Sequence, residues 1–225
     1  MTARIVEVRQ DILKKNDLLA RALRSRFEEA GVFVVSLVSS PGAGKTTLLQ
    51  RTLAALRSSL RVAAVVGDLQ TDNDARRLAE AGVPIRQITT GTVCHLDANM
   101  LEQALEDWDL RALDVLFVEN VGNLVCPASY DLGEALRVVL LSVTEGEDKP
   151  LKYPTIFGSA DSAVLTKIDL ADVVDFDRDA ARQAIEAVRP GMDVLEVSSR
   201  SGVGLEAWIN YLQAMRTHAF AVGTH

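Results

Sequence analysis

From Val32 onward the chain alternates between two hydrophobic periods. Residues 32–38 form an unbroken, largely β-branched apolar run, which predicts a strand covered on both faces. Helical spacing follows over 46–56. The same logic predicts strand over 61–66, helix over 74–81, strand over 85–88 and helix over 96–106. Further strands are expected at 113–118, 135–143, 163–165 and 194–197, with helices at 180–188 and 205–212. Such alternation implies an α/β fold, a mostly parallel sheet with helices on both faces. Upstream, Ile5, Val8, Ile12, Leu19, Leu23 and Phe27 recur at helical spacing among charged residues. Asn16-Asp17 is expected to break this stretch into two helices, and Gly31 to cap it. The organisation read from the pattern is an N-terminal helical extension (1–31) packed on the edge of one domain (32–217), with a frayed tail (218–225).

The first strand runs into Ser39-Ser40-Pro41-Gly42-Ala43-Gly44-Lys45-Thr46-Thr47 and then a helix. Gly44, Lys45 and Thr46 fit the phosphate-loop pattern G-x-x-x-x-G-K-S/T, while Ser39 stands at the first glycine. In such a loop, backbone N–H groups turn inward around phosphate oxygens and the helix points its positive end at the same anion. Gly42, Ala43, Gly44, Lys45, Thr46 and Thr47 are therefore the expected phosphate cradle. Lys45 would reach the β- and γ-phosphates, and the Thr46 hydroxyl would sit on Mg²⁺. This makes the sheet that of a P-loop NTPase.

Thr166-Lys167-Ile168-Asp169 ends a late strand and resembles the guanine-reading NKxD element of GTPases, with Thr in place of Asn. A carboxylate at Asp169 can accept from the N1–H and N2–H of guanine. Adenine has no N1–H, and a site built around such bonds rejects a ligand that leaves them unmade. The Lys167 stem can cover the base plane. Ser198 and Ser199, after the last strand, are candidates for a second base-contacting loop. Asp68 and Glu119 close two other strands, at the edge where α/β sheets bind ligands. Both are candidates to hold Mg²⁺ or its waters, and Glu119-x-x-Gly122 stands where many GTPases carry DxxG, with the Gly122 N–H free to meet the γ-phosphate. Asp72 and Asp74 could sense that phosphate or simply cap a helix.

Cys94-His95 and Cys126 lie 32 residues apart, in loops leaving adjacent strands at the same sheet edge. Two thiols and an imidazole suit Zn²⁺, Ni²⁺ or Cu⁺ and disfavour Mg²⁺. Three ligands are one short of a closed tetrahedral zinc site, so water or a second copy of the chain would complete it. Buried structural cysteines beside a capping histidine fit the spacing nearly as well.

Composition narrows the function class. The chain has 225 residues, 48% hydrophobic and 24% charged, enough to bury a real core. A net charge of −7 argues against nucleic acid and against an anionic membrane surface as partners. No stretch approaches the roughly 20 apolar residues of a membrane helix, and no signal-peptide pattern opens the chain, so a cytoplasmic location with reduced thiols is expected.

Taken together, SSPGAGKTTLL, GDLQTDNDA, GTVCHLDA, ENVGNLVCPASYDLGE, SVTEGEDKPLKYP and LTKIDL resemble the hydrogenase nickel-incorporation GTPases, the HypB family of the SIMIBI class. The likeness runs over 33–208, and its CHLDA and ENVGNLVCP blocks are absent from ordinary GTPases. The resemblance implies hydrolysis of GTP to GDP, with Mg²⁺, and binding of Ni²⁺ or Zn²⁺ at Cys94, His95 and Cys126; turnover is expected to be slow, since no residue of the sequence stands out as an arginine finger. The resemblance also implies a nucleotide- and metal-dependent homodimer, the HypA chaperone as partner and the large subunit of nickel–iron hydrogenase as recipient. Many bacterial members open with a cysteine- or histidine-rich segment. The sequence here opens MTARIVEVRQ, so nickel storage by such a segment is not expected. Two other expectations compete: a nucleotide-gated interaction protein with a purely structural zinc, and a P-loop small-molecule kinase, against which TKID argues.

Overall fold

The computed structural model describes residues 2–68 and 77–222, with side chains over 10–68 and 77–221. Asp72, Asp74 and the start of the helix expected at 74–81 lie outside the described residues, as do the side chains of Ile5 and Val8.

Seven parallel strands form one sheet: β1 (Phe33–Ser39), β2 (Val62–Asp68), β3 (Ile85–Thr89), β4 (Val115–Glu119), β5 (Leu136–Ser142), β6 (Ser162–Thr166) and β7 (Asp193–Val197), in the order β3-β2-β4-β1-β5-β6-β7. The principal helices are α1 (Thr2–Ala30), α2 (Lys45–Leu56), α3 (Ala98–Ala104), α4 (Arg178–Val188) and α5 (Leu205–Val222). Strand β1 is central and buried at every position. Its alternation feeds both faces: Phe33, Val35 and Leu37 enter the core under α2 and α5, while Val34 packs toward α1 and α3. Leu78 and Ala81 join the first of these cores. Trp208 of α5 is fully buried, and its indole N–H donates to Thr52 of α2 at 2.9 Å. Among the described residues no helix is long and apolar enough to cross a membrane.

Four expectations are corrected. The strands leading to Cys94-His95 and to Cys126 are not adjacent: β2 lies between β3 and β4, and the two loops reach each other past its end. α1 does not break at Asn16-Asp17 but runs unbroken from Thr2 to Ala30. Asn16 is buried and spends its amide on tertiary partners, so a residue of low helix propensity is held by contacts the local sequence does not display. α3 starts at Ala98 rather than Leu96, because the Asp97 carboxylate accepts from Met100 N and caps the helix there. The expected frayed tail is helical as far as Val222. There Arg216 lies over the Phe220 ring and donates to the Asp114 carbonyl, tying the last turns to the domain.

Candidate functional site: a phosphate cleft beside a sulfur–imidazole cluster

β1 delivers the chain to the phosphate loop, and Gly44 turns it into α2 with a φ of 96°, a left-handed conformation that costs a side-chain-bearing residue heavily. Lys45 is nearly buried and its ammonium donates to Ser39 Oγ at 2.9 Å. Ser39 thus faces the lysine from the position of the pattern's missing glycine. Thr46 Oγ1 donates to Glu119 Oε1 at 2.7 Å. Gly44, Lys45, Thr46 and Glu119 line a cleft of about 460 Å³, together with Gly42, Thr47, Asp68 and Gly122. A Cβ on Gly122 would lie 2.9 Å from the Pro41 Cα, so the loop leaving β4 rests directly on the phosphate loop. Ala43 is buried and contributes its backbone. Arg77 also reaches the cleft, donating to Thr47 Oγ1 at 3.3 Å. Sequence reading missed it, since a cation in a polar run carries no local mark.

The cleft continues into a smaller hollow of about 240 Å³, lined by Thr166, Lys167, Asp169 and Ser199, with Gly44 and Thr47 at its inner wall. Asp169 is exposed there. Lys167 adopts a left-handed φ of 58°, and its ammonium donates to the Gly42 carbonyl at 2.8 Å. Thr166 is buried, and its hydroxyl donates to the Ala43 carbonyl at 2.6 Å. The Thr in place of Asn therefore still ties the base-side loop to the phosphate loop. Ser198 is fully buried and its hydroxyl accepts from Ser201 N, so it shapes its loop from within while Ser199 lines the hollow.

Cys94, His95 and Cys126 come together in the loops that follow β3 and β4. One ligand atom from each lies within 4.8 Å of the others, and the thiol sulfurs are 2.6 Å apart without a disulfide. Metal–sulfur bonds of about 2.3 Å would part those sulfurs by about an ångström. His95 stacks on Tyr130, with ring centroids 3.8 Å apart. Its Nδ1 is buried and has no hydrogen-bond partner among the described residues. Burial holds the imidazole below its ordinary value, partly opposed by the charge of Asp97, which favours the neutral form a metal needs. The donor set of two sulfurs and one unsatisfied nitrogen fits a soft or borderline divalent ion.

The two sites share a wall. Asn120, buried next to Glu119, accepts on Oδ1 from both Leu96 N and Val121 N at 2.9 Å. Asn123 donates to the Cys94 carbonyl at 3.3 Å and accepts from Val125 N at 2.8 Å. The stretch 119–126 therefore touches the phosphate loop at Gly122, holds the Cys94–Leu96 segment through two asparagines, and ends on Cys126.

Residues 33–196 match the family described as CobW/HypB/UreG, nucleotide-binding domain. A hydrogenase maturation factor HypB of Azotobacter chroococcum is 51% identical over 95% of this chain and 70% of its own length. That of Escherichia coli is 47% identical over 95% of this chain and 73% of its own. The crystal structure of HypB from Helicobacter pylori in complex with nickel superposes with a TM-score of 0.86, at 42% identity, covering 91% of this chain and 96% of that one. On this identity and coverage the chain belongs to the HypB family of hydrogenase maturation factors.

Proposed function

We propose that the protein is a GTP-hydrolysing metallochaperone, which carries nickel at Cys94, His95 and Cys126 and takes part in its insertion into nickel–iron hydrogenase. One observation carries this reading: the stretch 119–126 is at once a wall of the phosphate cleft and part of the cysteine–histidine cluster. The Helicobacter pylori relative, whose crystal structure is of a nickel complex, supports the choice of cargo.

Hydrolysis is phosphoryl transfer to water, in which a protein supplies position and charge. The backbone of Gly42, Ala43 and Gly44 cradles the phosphates with Thr47, and the Lys45 ammonium leaves Ser39 for the β- and γ-oxygens. Thr46 Oγ1, Glu119 and Asp68 are hard oxygen donors facing one space, a set that fits Mg²⁺. When bound there, Mg²⁺ would neutralise charge on the phosphates. Gly122 N–H meets the γ-phosphate, and Asp68 and Glu119 orient the surrounding water. Asp169 reads the guanine edge, Lys167 covers its face, and Ser199 closes the base hollow. Thr166 and Ser198 act one step back, as supports for those loops.

Coupling follows from the shared wall. A γ-phosphate that draws Gly122 toward itself moves the same segment that bears Asn120, Asn123 and Cys126, so nucleotide state changes metal affinity. Three protein ligands leave one coordination position, and Val125, 63% exposed beside Cys126, marks the side from which a second copy could supply it. A homodimer, the HypA chaperone and the hydrogenase large subunit are the expected partners, and the cytoplasm the expected location.

Nickel stoichiometry and nucleotide preference, measured together, test this proposal. The wild type should bind Ni²⁺ and lose it on Cys94→Ser or Cys126→Ser, while hydrolysing GTP in strong preference to ATP. Nickel binding unaffected by both substitutions, or equal turnover of ATP, would overturn it.

A further inference from the structure

α1 does more than cover the sheet edge. Asn16 sits on its inner face, one turn before Ala20, in a stripe otherwise made of Ala20, Leu23 and Phe27. An amide on such a stripe is expensive unless every polar atom is used. Asn16 is 5% exposed and uses both ends of its amide. Oδ1 accepts from Ala98 N at 2.9 Å, and Nδ2 donates to the Asp131 carbonyl at 2.9 Å.

Those two partners are the far ends of the two ligand-bearing segments. Ala98 opens α3 just past Cys94 and His95. Asp131 follows Tyr130, the ring on which His95 stacks, at the end of the turn Cys126–Ser129. A single planar amide thus spans the gap between the Cys94–His95 segment and the Cys126–Tyr130 segment. Arg24, two turns along α1, adds a forked contact to the Asp131 carboxylate at 2.9 Å, which orients the second segment but does not touch the first. Among the described residues of α1, Asn16 alone bonds to both segments.

We infer that Asn16 is a positioning residue of the metal centre: it sets the spacing between the Cys94–His95 and Cys126–Tyr130 segments, so that α1 acts as a clamp on the metal ligands. The inference rests on the metal reading above. Groups that orient metal ligands from behind typically change metal affinity by about 10–100-fold when lost. Asn16→Ala removes both bonds and leaves Ala98 N and the Asp131 carbonyl unpaired. Asn16→Asp keeps an acceptor for Ala98 N but turns an oxygen toward the Asp131 carbonyl, breaking only that half.

The test uses the full chain and compares wild type, Asn16→Ala, Asn16→Asp, Cys94→Ser and Arg26→Met. Arg26 is also on α1 and donates to the Leu105 carbonyl, away from the ligand segments, so its loss reports a general loosening of the helix. Ni²⁺ affinity is read by competition with a chromophoric chelator, and ligand geometry by the thiolate-to-nickel charge-transfer band. The account expects a loss of about tenfold or more and a shifted band in Asn16→Ala, an intermediate loss in Asn16→Asp, and wild-type behaviour in Arg26→Met. Should Asn16→Ala fail to fold, the Asn16→Asp result decides alone. Asn16 variants within twofold of wild type with an unchanged band, or an equal loss in Arg26→Met, would overturn the clamp while leaving the metal site standing. Equal nickel binding by wild type and Cys94→Ser would instead overturn the site itself, and the clamp with it.

Discussion

Gly122→Ala adds one methyl group at the point where the loop leaving β4 rests on the phosphate loop. The new Cβ would lie 2.9 Å from the Pro41 Cα, 3.1 Å from its N and 3.4 Å from its Cβ. Ordinary carbon–carbon contact is about 3.5–4.0 Å, and here the obstacle is backbone that no rotamer change can clear. Overpacking of this kind typically costs about 1–3 kcal/mol. The strain must be relieved by parting the two loops, and that separates the Gly122 N–H from the phosphates. If the whole cost falls on the nucleotide-competent arrangement, a factor of ten per 1.4 kcal/mol gives a loss of about 5- to 150-fold in nucleotide affinity or turnover. The assay is titration of a fluorescent GTP analogue, followed by phosphate release at saturation. Gly158→Ala is the matched control, since its Cβ would meet only Val188 Cγ1, at 3.9 Å. In the short helix Pro154–Ser159 that change should leave binding intact and raise stability by up to about 1 kcal/mol. Wild-type affinity and turnover in Gly122→Ala would refute the contact between the two loops, and with it the mechanical route from nucleotide to metal.

Lys45→Ala should abolish GTP hydrolysis with the far-UV circular dichroism unchanged, because α2 is held to the core by Leu48, Leu49, Leu53 and Leu56; retained hydrolysis would sink the phosphate-site assignment. Asp169→Asn should weaken GTP and favour xanthosine triphosphate, read by competition between the two, and an unchanged base preference would remove Asp169 as the reader. Burial lowers His95 from its ordinary 6.5, so the neutral imidazole predominates at that pH and increasingly above it. Its contribution to nickel affinity should therefore fall as pH drops through the lowered value, below the range where an ordinary histidine would lose it. The metal-free fold loses stability in the same direction, since the unfolded chain takes up the His95 proton first. A pH titration of wild type against His95→Asn isolates this component, and a fall that began above pH 7 and vanished in the variant would contradict it.

What the sequence disclosed were features built from short contiguous runs. The apolar stretch at Val32–Val38, the loop into Lys45-Thr46, the TKID turn and the Cys94-His95 pair each announce themselves within a few residues. What stayed hidden depends on partners far along the chain. Asn16 looked like a helix breaker because its propensity is local, whereas its bonds run to Ala98 and Asp131. Thr166 looked like a departure from NKxD until its hydroxyl was found on the Ala43 carbonyl. Ser198 carried the right residue type but turns inward, and Arg77 sits in the cleft with nothing in its own neighbourhood to mark it. Asn120 and Asn123, which join the cleft wall to the cysteine–histidine cluster, sit in a run whose cysteine and glycine carry the plainer signals.

In the proposed mechanism nucleotide and metal share one movable wall, the stretch 119–126. Its most direct test is Ni²⁺ affinity, by chelator competition, with the full chain held in its GDP state and then with a non-hydrolysable GTP analogue. The account predicts a clear change in affinity between the two states, and loss of that change in Gly122→Ala. Equal nickel affinities in both states, with zinc held tightly throughout, would contradict it and leave a GTPase whose metal only builds an interface.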